Sequence, residues 1–386
     1  MEVKDKPLAN GLLHLDRVTK LEWVVKISKL CNLRCSYCYE FNSLANRQHM
    51  TLGQIESFLQ NVAGLAEIGI KRHDFVWHGG EPTLRPTSYF EDIFALQRKI
   101  LGKSKVEFSN HIQTNLYRLT PQWLSLLASG AFQNIGVSFD FSGDMRVSRS
   151  GSNSNLEVVR NMDRLTDAGI VFSAITVLHR DNIKHVDEIF DFFASIDCPF
   201  RCLPIYRDAE GRSNDPRACS TSEIRAALLR VSCRWYGSSQ SIAVQPLSRC
   251  LESVQRYMAT GKLSRYEKRR DHCVFVVDTN GALYGNADGY SPELSYLNVF
   301  GDDLRQLEDS QSWQDSVSAS EARLRGICHE CEFYGVCDGY DVAEATEREL
   351  VSGGSGADRC STARTIYRDV YLREGLRLPE TLMVEV

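Results

Sequence analysis

Between Glu22 and Tyr206 short apolar runs alternate with longer amphipathic stretches. Apolar runs bounded by turn signals predict strands at Trp23–Leu30, Asp74–His78, Val106–Thr114, Asn134–Asp140, Val171–Leu178 and Arg201–Tyr206. The stretches between them carry helix signals. Thr51 with Gln54 reads as a capping box that opens a helix to about Ile68. Thr120 and Pro121 read as the N-cap and first residue of another. Asn155–Ala168 closes at Gly169, a glycine placed for a left-handed C-terminus. Six β–α repeats imply parallel strands joined by right-handed crossovers. The predicted fold is therefore α/β, a partial (β/α)6 barrel of the TIM type, open on one side. Active residues should lie at the carboxyl ends of its strands.

After the barrel the pattern changes. Arg207–Arg217 is a polar loop, and Thr221–Tyr236 and Leu247–Thr260 read as two helices. His272–Asp278, the turn Thr279–Asn280–Gly281 and Ala282–Asn286 read as a β-hairpin. Thr362–Arg373 reads as a terminal helix. These shifts divide the chain into an N-terminal segment (1–21), the barrel (22–215), a helical linker (216–262) and a C-terminal domain (263–386). No repeat beyond the β–α period is visible.

Composition narrows the class. The chain has 386 residues, 43% hydrophobic and 25% charged, with a net charge of −5. That is ordinary for a globular protein and gives no global field toward nucleic acid. The run Lys268–Arg269–Arg270 is expected on a solvated surface. The first ten residues are too polar for a signal peptide. No apolar run reaches the about 20 residues that a membrane-spanning helix needs. A cytoplasmic location follows, where thirteen cysteines favour metal ligation over disulfides.

The cysteines are not scattered. Cys31, Cys35 and Cys38 directly follow the first strand, spaced C-x3-C-x2-C. Three thiolates can hold three irons of a [4Fe–4S] cube and leave the fourth iron open to a small molecule. Zinc usually takes four ligands in paired knuckles, and this triplet has no partner knuckle nearby. The second strand ends in Trp77–His78–Gly79–Gly80–Glu81–Pro82. Its glycines let backbone approach a ligand closely, and its carboxylate can accept hydrogen bonds from an ammonium group. With Tyr37 just before the last cysteine, the two motifs resemble the radical SAM superfamily.

That resemblance implies a [4Fe–4S] cluster on Cys31, Cys35 and Cys38 that binds S-adenosylmethionine (SAM). It implies SAM contacts at Tyr37, Gly79, Gly80, Glu81 and Pro82, the Gly-Gly-Glu-Pro motif holding the methionine amine. Gln113–Thr114–Asn115 and Gly136–Val137–Ser138–Phe139–Asp140 end the next two strands. The superfamily uses such positions for the ribose and carboxylate, here Asn115 and Ser138. An arginine about ten residues on often pairs with that carboxylate. Arg146 and Arg149 compete for the role, and Arg149 is favoured.

Near the end lies Cys328-x2-Cys331-x5-Cys337, followed by Cys360. Four thiolates can fully ligate a second [4Fe–4S] cube, or a structural zinc. The segment resembles the SPASM domain of peptide-modifying radical SAM enzymes, in which two auxiliary clusters are usual. Cys273 matches its first cysteine and Gly281 its hairpin glycine. The hairpin cysteine, however, is replaced by Asn286, and the partner of Cys337 by Asp341. Two clusters in all are therefore expected. Cys273, freed from cluster duty, is expected near the substrate as a hydrogen donor. Asp288 is a loose substitute for the base of the sulfatase maturases. Cys198, Cys202, Cys219, Cys233 and Cys250 read mostly as buried hydrophobes.

The resemblance spans residues 22–360 and implies an enzyme that uses a 5′-deoxyadenosyl radical to remove hydrogen from unactivated C–H bonds. The branch contains sulfatase maturases and ribosomal-peptide maturases. Loss of the inner cluster points to the latter, with Gly136–Asp140 and Gly143–Val147 closest to side-chain crosslinkers. The expected reaction is a C–C crosslink of cyclophane type in a precursor peptide. Peptide epimerisation, oxidation of Ser or Cys as in sulfatase maturation, and a non-catalytic iron–sulfur or zinc interaction protein remain open. The expected partners are the precursor peptide and a reductant such as flavodoxin or ferredoxin. Some twenty residues precede the first strand, too few for a fused leader-binding module. Leader recognition then falls to the barrel, the C-terminal domain or a separate leader-binding protein.

Overall fold

Parallel strands fill the first half of the chain, each followed by a helix on one face. The computed structural model describes residues 20–205, 216–285, 292–345 and 357–378. The β–α units are β1 (Leu21–Lys26), α1 (Leu52–Gly64), β2 (Arg72–His78), α2 (Thr87–Ile100), β3 (Glu107–Thr114), α3 (Pro121–Ala128), β4 (Asn134–Ser138), α4 (Asn155–Asp167), β5 (Ser173–Leu178), α5 (Val186–Ser195), β6 (Phe200–Pro204) and α6 (Thr221–Gly237). The helix signals hold. Thr51 and Gln54 form the reciprocal capping box, and Thr120 caps α3 with Pro121 in its first turn. Gly169 takes φ +68° after α4.

The sheet continues past the six expected strands. A two-residue β7 (Val244–Gln245) pairs parallel with β6. On the opposite flank β8 (Val274–Val277) pairs parallel with β1, and β9 (Leu283–Tyr284) closes the hairpin antiparallel to β8. The order is β7-β6-β5-β4-β3-β2-β1-β8-β9, with the two ends unjoined, so the barrel stays open. The C-terminal hairpin is thus hydrogen-bonded into the barrel sheet.

Each strand has two characters. In β1, Leu21, Trp23 and Val25 are buried toward the helices, where Trp23 meets Phe58 of α1 edge-on at 5.5 Å. In β3, Asn110 faces α2 and bonds Gln97. The alternate residues, such as Asp74, Ser109, His111 and Gln113, line the concave face. This period of two follows from the pleat. The apolar core runs unbroken from these strands to Trp313 on α9 (Gln311–Arg323) and Tyr367 on the C-terminal helix (Ala357–Arg373). Helix α7 (Leu247–Thr260) packs against that last helix.

One surface expectation fails. Lys268 opens the short α8 (Lys268–Asp271) and is buried, paired with buried Glu344 at 2.5 Å. Tyr266 Oη donates to the same carboxylate at 2.7 Å, and His272 lies 3.5 Å from it. A basic triplet looks solvated until a distant carboxylate supplies the partner that makes burial tolerable. Among the described residues no helix is long and apolar enough to cross a membrane.

Candidate functional site

The loop that leaves β1 carries the cysteine triplet. Strand β1 stops at Lys26, earlier than expected, because residues 28–30 turn off to bond the loop after β2. Gly80 N donates to Ser28 O at 2.7 Å and Glu81 N to Leu30 O at 2.9 Å. A Cβ on Gly79 would stand 2.2 Å from Ser28 O, and one on Gly80 2.3 Å from Lys29 O. The glycines therefore let two loops lie against each other, and a closely approaching ligand is not needed to explain them. Glu81 is similarly committed. It is buried, and its carboxylate accepts from Thr83 N and Oγ1, Thr114 Oγ1 and Asn115 N at 2.6–3.0 Å. It clamps the end of β2 to the end of β3. Pro82 is buried in the short turn that follows.

Cys31 is buried against Leu33 and Leu44, with Cys35 and Cys38 half-buried in the same apolar cluster. Its sulfur lies 3.4 Å from Leu33 N and 3.5 Å from Asn115 Nδ2. Asn32 Nδ2 beside it is buried with no partner in the chain. The loop is held from the far side too, where Arg34 N donates to Val147 O and Ser36 N to Met145 O. Burial pushes the Cys31 thiol up to about 12, the Cys38 thiol up to about 11, and Cys35 in the same direction. Such thiols ionise when a cation displaces their protons. Three sulfurs in one apolar cluster, N–H donors aimed at one of them and an orphan amide fit an iron–sulfur cluster.

Tyr37 points inward. Its hydroxyl donates to Asp140 Oδ2 at 2.6 Å and accepts from Arg146 at 3.0 Å. Asp140 also accepts from Val177 N at 2.8 Å, linking β4 to β5. Arg146 is buried in this triad, whereas Arg149, favoured from the sequence, is exposed on a turn. Distance counting along the chain could not separate them, because the turn at residues 148–151 reverses the direction in which each side chain points. Asn115 N holds Glu81 and its amide reaches Asn32 at 2.8 Å. Ser138 Oγ accepts from Gln113 Nε2 at 2.9 Å. Gln113 crosses the space that a side chain at Gly136 would fill, 2.0 Å from the position of a Cβ.

Sequence reasoning missed several polar residues here. Lys26 is buried and bonds Glu40 at 2.6 Å, and Lys29 bonds Asp278 at 2.9 Å. His78 accepts from Gly79 N at 2.7 Å, and burial with Lys26 nearby pushes it down to about 4. The available signal was the period of two, since Glu22 and Lys26 interrupt an apolar strand on one parity.

Cys328, Cys331, Cys337 and Cys360 line one cavity together with Tyr334, Asp341 and Arg364. Cys328 ends the π-helical turn Leu324–Cys328 that continues α9, Cys331 and Cys337 follow in the adjoining loop, and Cys360 comes from the C-terminal helix. Glu332 fixes that helix by accepting from Arg364 at 2.5 Å and Arg368 at 2.9 Å. Burial raises the Cys328 thiol, and charge on Cys360, Cys337 and Cys331 raises it further, so the four feel one another. Among the described residues no three His, Cys, Asp or Glu close on a point suited to a single ion. The four sulfurs surround a space, as a cubane requires. Asp341 and Asp338 pair with Arg249, filling with charge the place of a further thiolate.

Two expected residues are placed elsewhere. Cys273 is exposed at the amino end of β8, where its carbonyl accepts from Glu22 N at 2.7 Å. Parallel pairing forces this, because β8 enters the sheet where β1 enters, remote from loop 31–38. The thiol does not join the SAM-site residues. Asp288 and Asn286 lie outside the described residues. Cys198, Cys202, Cys219 and Cys250 are buried as expected, while Cys233 is exposed.

The sequence profile of the Radical SAM superfamily matches residues 25–193. This part of the chain is a radical SAM domain. The protein is accordingly an enzyme of radical SAM type, a class that binds a [4Fe–4S] cluster and SAM. It is 24% identical over 341 residues to a serine-type anaerobic sulfatase-maturating enzyme of Bacteroides thetaiotaomicron, covering 82% of this chain and 81% of that protein. It is 24% identical over 328 residues to a cysteine-type counterpart of Clostridium perfringens, covering 80% and 85%. Its fold is similar to native anSMEcpe with bound AdoMet and Cp18Cys peptide, with a TM-score of 0.76, 20% identity and 92% and 97% coverage. Streptococcus suis SuiB bound to SAM aligns with a TM-score of 0.59 at 16% identity, covering 87% and 75%.

Proposed function

We propose that the protein oxidises a side chain of a peptide or protein, with a net loss of two hydrogens. The observation that carries this reading is the presence in one chain of an open three-thiol loop and a closed four-thiol cavity. A bound cluster and SAM supply hydrogen-atom abstraction at the first site. The chain's own residues do the rest of the work. Cys31, Cys35 and Cys38 would hold the first cluster, and Leu33 N and Asn115 Nδ2 orient the Cys31 thiolate. Gln113, Ser138 and the Tyr37–Asp140–Arg146 triad shape the adjoining face. Cys328, Cys331, Cys337 and Cys360 hold the second cluster. The polar concave face positions a peptide and accepts its protons.

The preferred product is a C–C crosslink of cyclophane type in a precursor peptide, because Asn286 and Asp341 replace the ligands of an inner cluster. Oxidation of Ser or Cys to an aldehyde is the second reading. It is favoured by similarity to sulfatase-maturating enzymes along four-fifths of both chains. The reductant is a flavodoxin or ferredoxin. The test is anaerobic incubation of the reconstituted enzyme with SAM, reductant and candidate peptides, followed by mass spectrometry. A product lighter by two hydrogens supports the reading, and fragmentation then separates a crosslink from an aldehyde. An unchanged mass in H2O, with one deuterium at Cα when the reaction is run in D2O, would replace it with epimerisation.

A further inference from the structure

A further polar cluster lies on the concave face of the sheet. Asp74, Ser109 and His111 lie on β2 and β3, with Asp74 in register with Ser109. Ser109 Oγ donates to Asp74 Oδ1 at 2.5 Å and lies 2.8 Å from His111 Nε2. His111 Nε2 is also 3.6 Å from Asp74 Oδ2, and Lys20 pairs with the same carboxylate. The carboxyl of Asp74 is held low by Lys20 and Ser109 despite partial burial. As an anion it can only accept, so the single hydroxyl hydrogen of Ser109 is committed to it. The contact between Ser109 and His111 must then be donated by His111, as Nε2–H. That fixes the neutral tautomer with Nδ1 as a bare lone pair. His111 Nδ1 is buried and has no partner in the chain.

The location suits a substrate. His111 lies two residues before Gln113 on the same face of β3, about 6.6 Å at strand rise, and Gln113 reaches Ser138 at the carboxyl ends of the strands. His111 is in register with Val76, three residues before Gly79. It therefore sits between the SAM-binding end and the polar floor of the sheet. The charged groups facing the cluster are Asp74 and Lys20, with Glu22 and Arg201 beside them. Burial holds the imidazole below its ordinary value near 6.5, so it is neutral at pH 7 and free to accept.

We propose that His111 Nδ1 is the proton acceptor for the peptide side chain being modified, with Ser109 and Asp74 as positioning residues. This deepens, and rests on, the second reading above, oxidation of Ser or Cys to an aldehyde, in which the side chain loses a heteroatom proton. In the step, the O–H or S–H bond of the substrate side chain breaks and an Nδ1–H bond forms. Both electrons of the broken bond stay on the substrate heteroatom, and Asp74 balances the imidazolium. A base supplied by the barrel wall does not depend on the hairpin, where Asn286 stands in place of a cysteine.

The first test needs no turnover. In 15N-histidine spectra of the full chain, His111 should be the Nε2–H tautomer at pH 7 and should titrate below 6.5. Ser109→Ala should keep the ring and lose the lock, giving both tautomers. A wild-type Nδ1–H tautomer, or a charged ring at pH 7, overturns the proposal. The second test uses the reconstituted enzyme and the Cp18Cys peptide. His111→Gln should lower product formation by about 10²-fold or more and lower 5′-deoxyadenosine formation far less. Asp74→Asn should shift the acidic limb of the pH–rate profile. A folded His111→Gln enzyme with full product overturns the proposal. If wild-type enzyme gives no product from this peptide, the Ser or Cys oxidation reading fails for this substrate, and the tautomer spectra still decide His111.

Discussion

The two cysteine sites are built on opposite principles. Loop 31–38 gathers its thiols locally, within eight residues, and leans on the backbone of the loop after β4 and on the Asn115 side chain after β3. The C-terminal site takes three thiols from the helix end and loop at 328–337 and the fourth from a helix held by the Glu332–Arg364–Arg368 clamp. A local site with three ligands leaves a coordination position for a molecule that reacts. A site that ties two segments together with four ligands leaves none, and its metal becomes part of the fold.

Removing the local site should have the largest effect. Replacing Cys31, Cys35 and Cys38 with Ala should abolish 5′-deoxyadenosine formation while circular dichroism stays native, because the core lies in strands and helices outside this loop. Persistent cleavage of SAM in the triple variant would refute the assignment. Cys360→Ala should separate the sites. Iron should fall from about eight to about four per chain, the C-terminal helix should loosen, and peptide product should collapse while some SAM cleavage persists. A folded variant with four fewer irons and full product would show that the second site is not needed for turnover.

A smaller effect is expected at the buried ion pair under the second site. Lys268→Met leaves Glu344 buried without its closest cation and should cost about 3–5 kcal/mol, read by urea unfolding. The pH dependence has a definite sign. His272 and Lys268 hold the Glu344 carboxyl well below the usual range despite burial, and burial holds His272 below 6.5. Both groups bind protons more readily when unfolded. Stability should therefore fall as pH drops through 6.5 and fall further below the ordinary carboxylate value near 4.5. A flat stability between pH 7 and 4 would contradict the network. The smallest effect belongs to Gly136→Ala, whose methyl would displace the flexible end of Gln113 from Ser138. A several-fold weaker affinity for SAM at unchanged stability is expected by calorimetry, and unaltered affinity would remove Gln113 and Ser138 from the binding face.

Most barrel elements were legible because each is specified locally. Capping pairs such as Thr51 and Gln54 and the apolar runs of β2 and β3 need no distant partner. The four cavity-lining cysteines were legible through spacing. What was hidden depends on pairings between distant segments. The parallel contact of β8 with β1 moved Cys273 to the wrong end of the sheet. The burial of Lys268 depends on Glu344, and Ser109 with His111 reads as a plain polar strand until Asp74 lies beside it. The helix Gln311–Arg323 was missed because Ser, Gln and Asp dilute its apolar stripe to Trp313 and Val317.

The pairing of β1 with β8 also has a consequence for the making of the protein. The segments leaving the two strands are joined by contacts such as Lys29–Asp278, whose residues are 249 positions apart. At ribosomal speeds of about 5–20 residues per second, β1 waits roughly 12–50 s for its outer neighbour. During that interval one side of β1 is an unsatisfied edge, and Trp23 lacks the Phe275 ring it later stacks on at 5.6 Å. Exposed edges recruit other chains. Fragments ending before β8 should therefore aggregate, and expression should improve when synthesis is slow enough for chaperones to cover that edge.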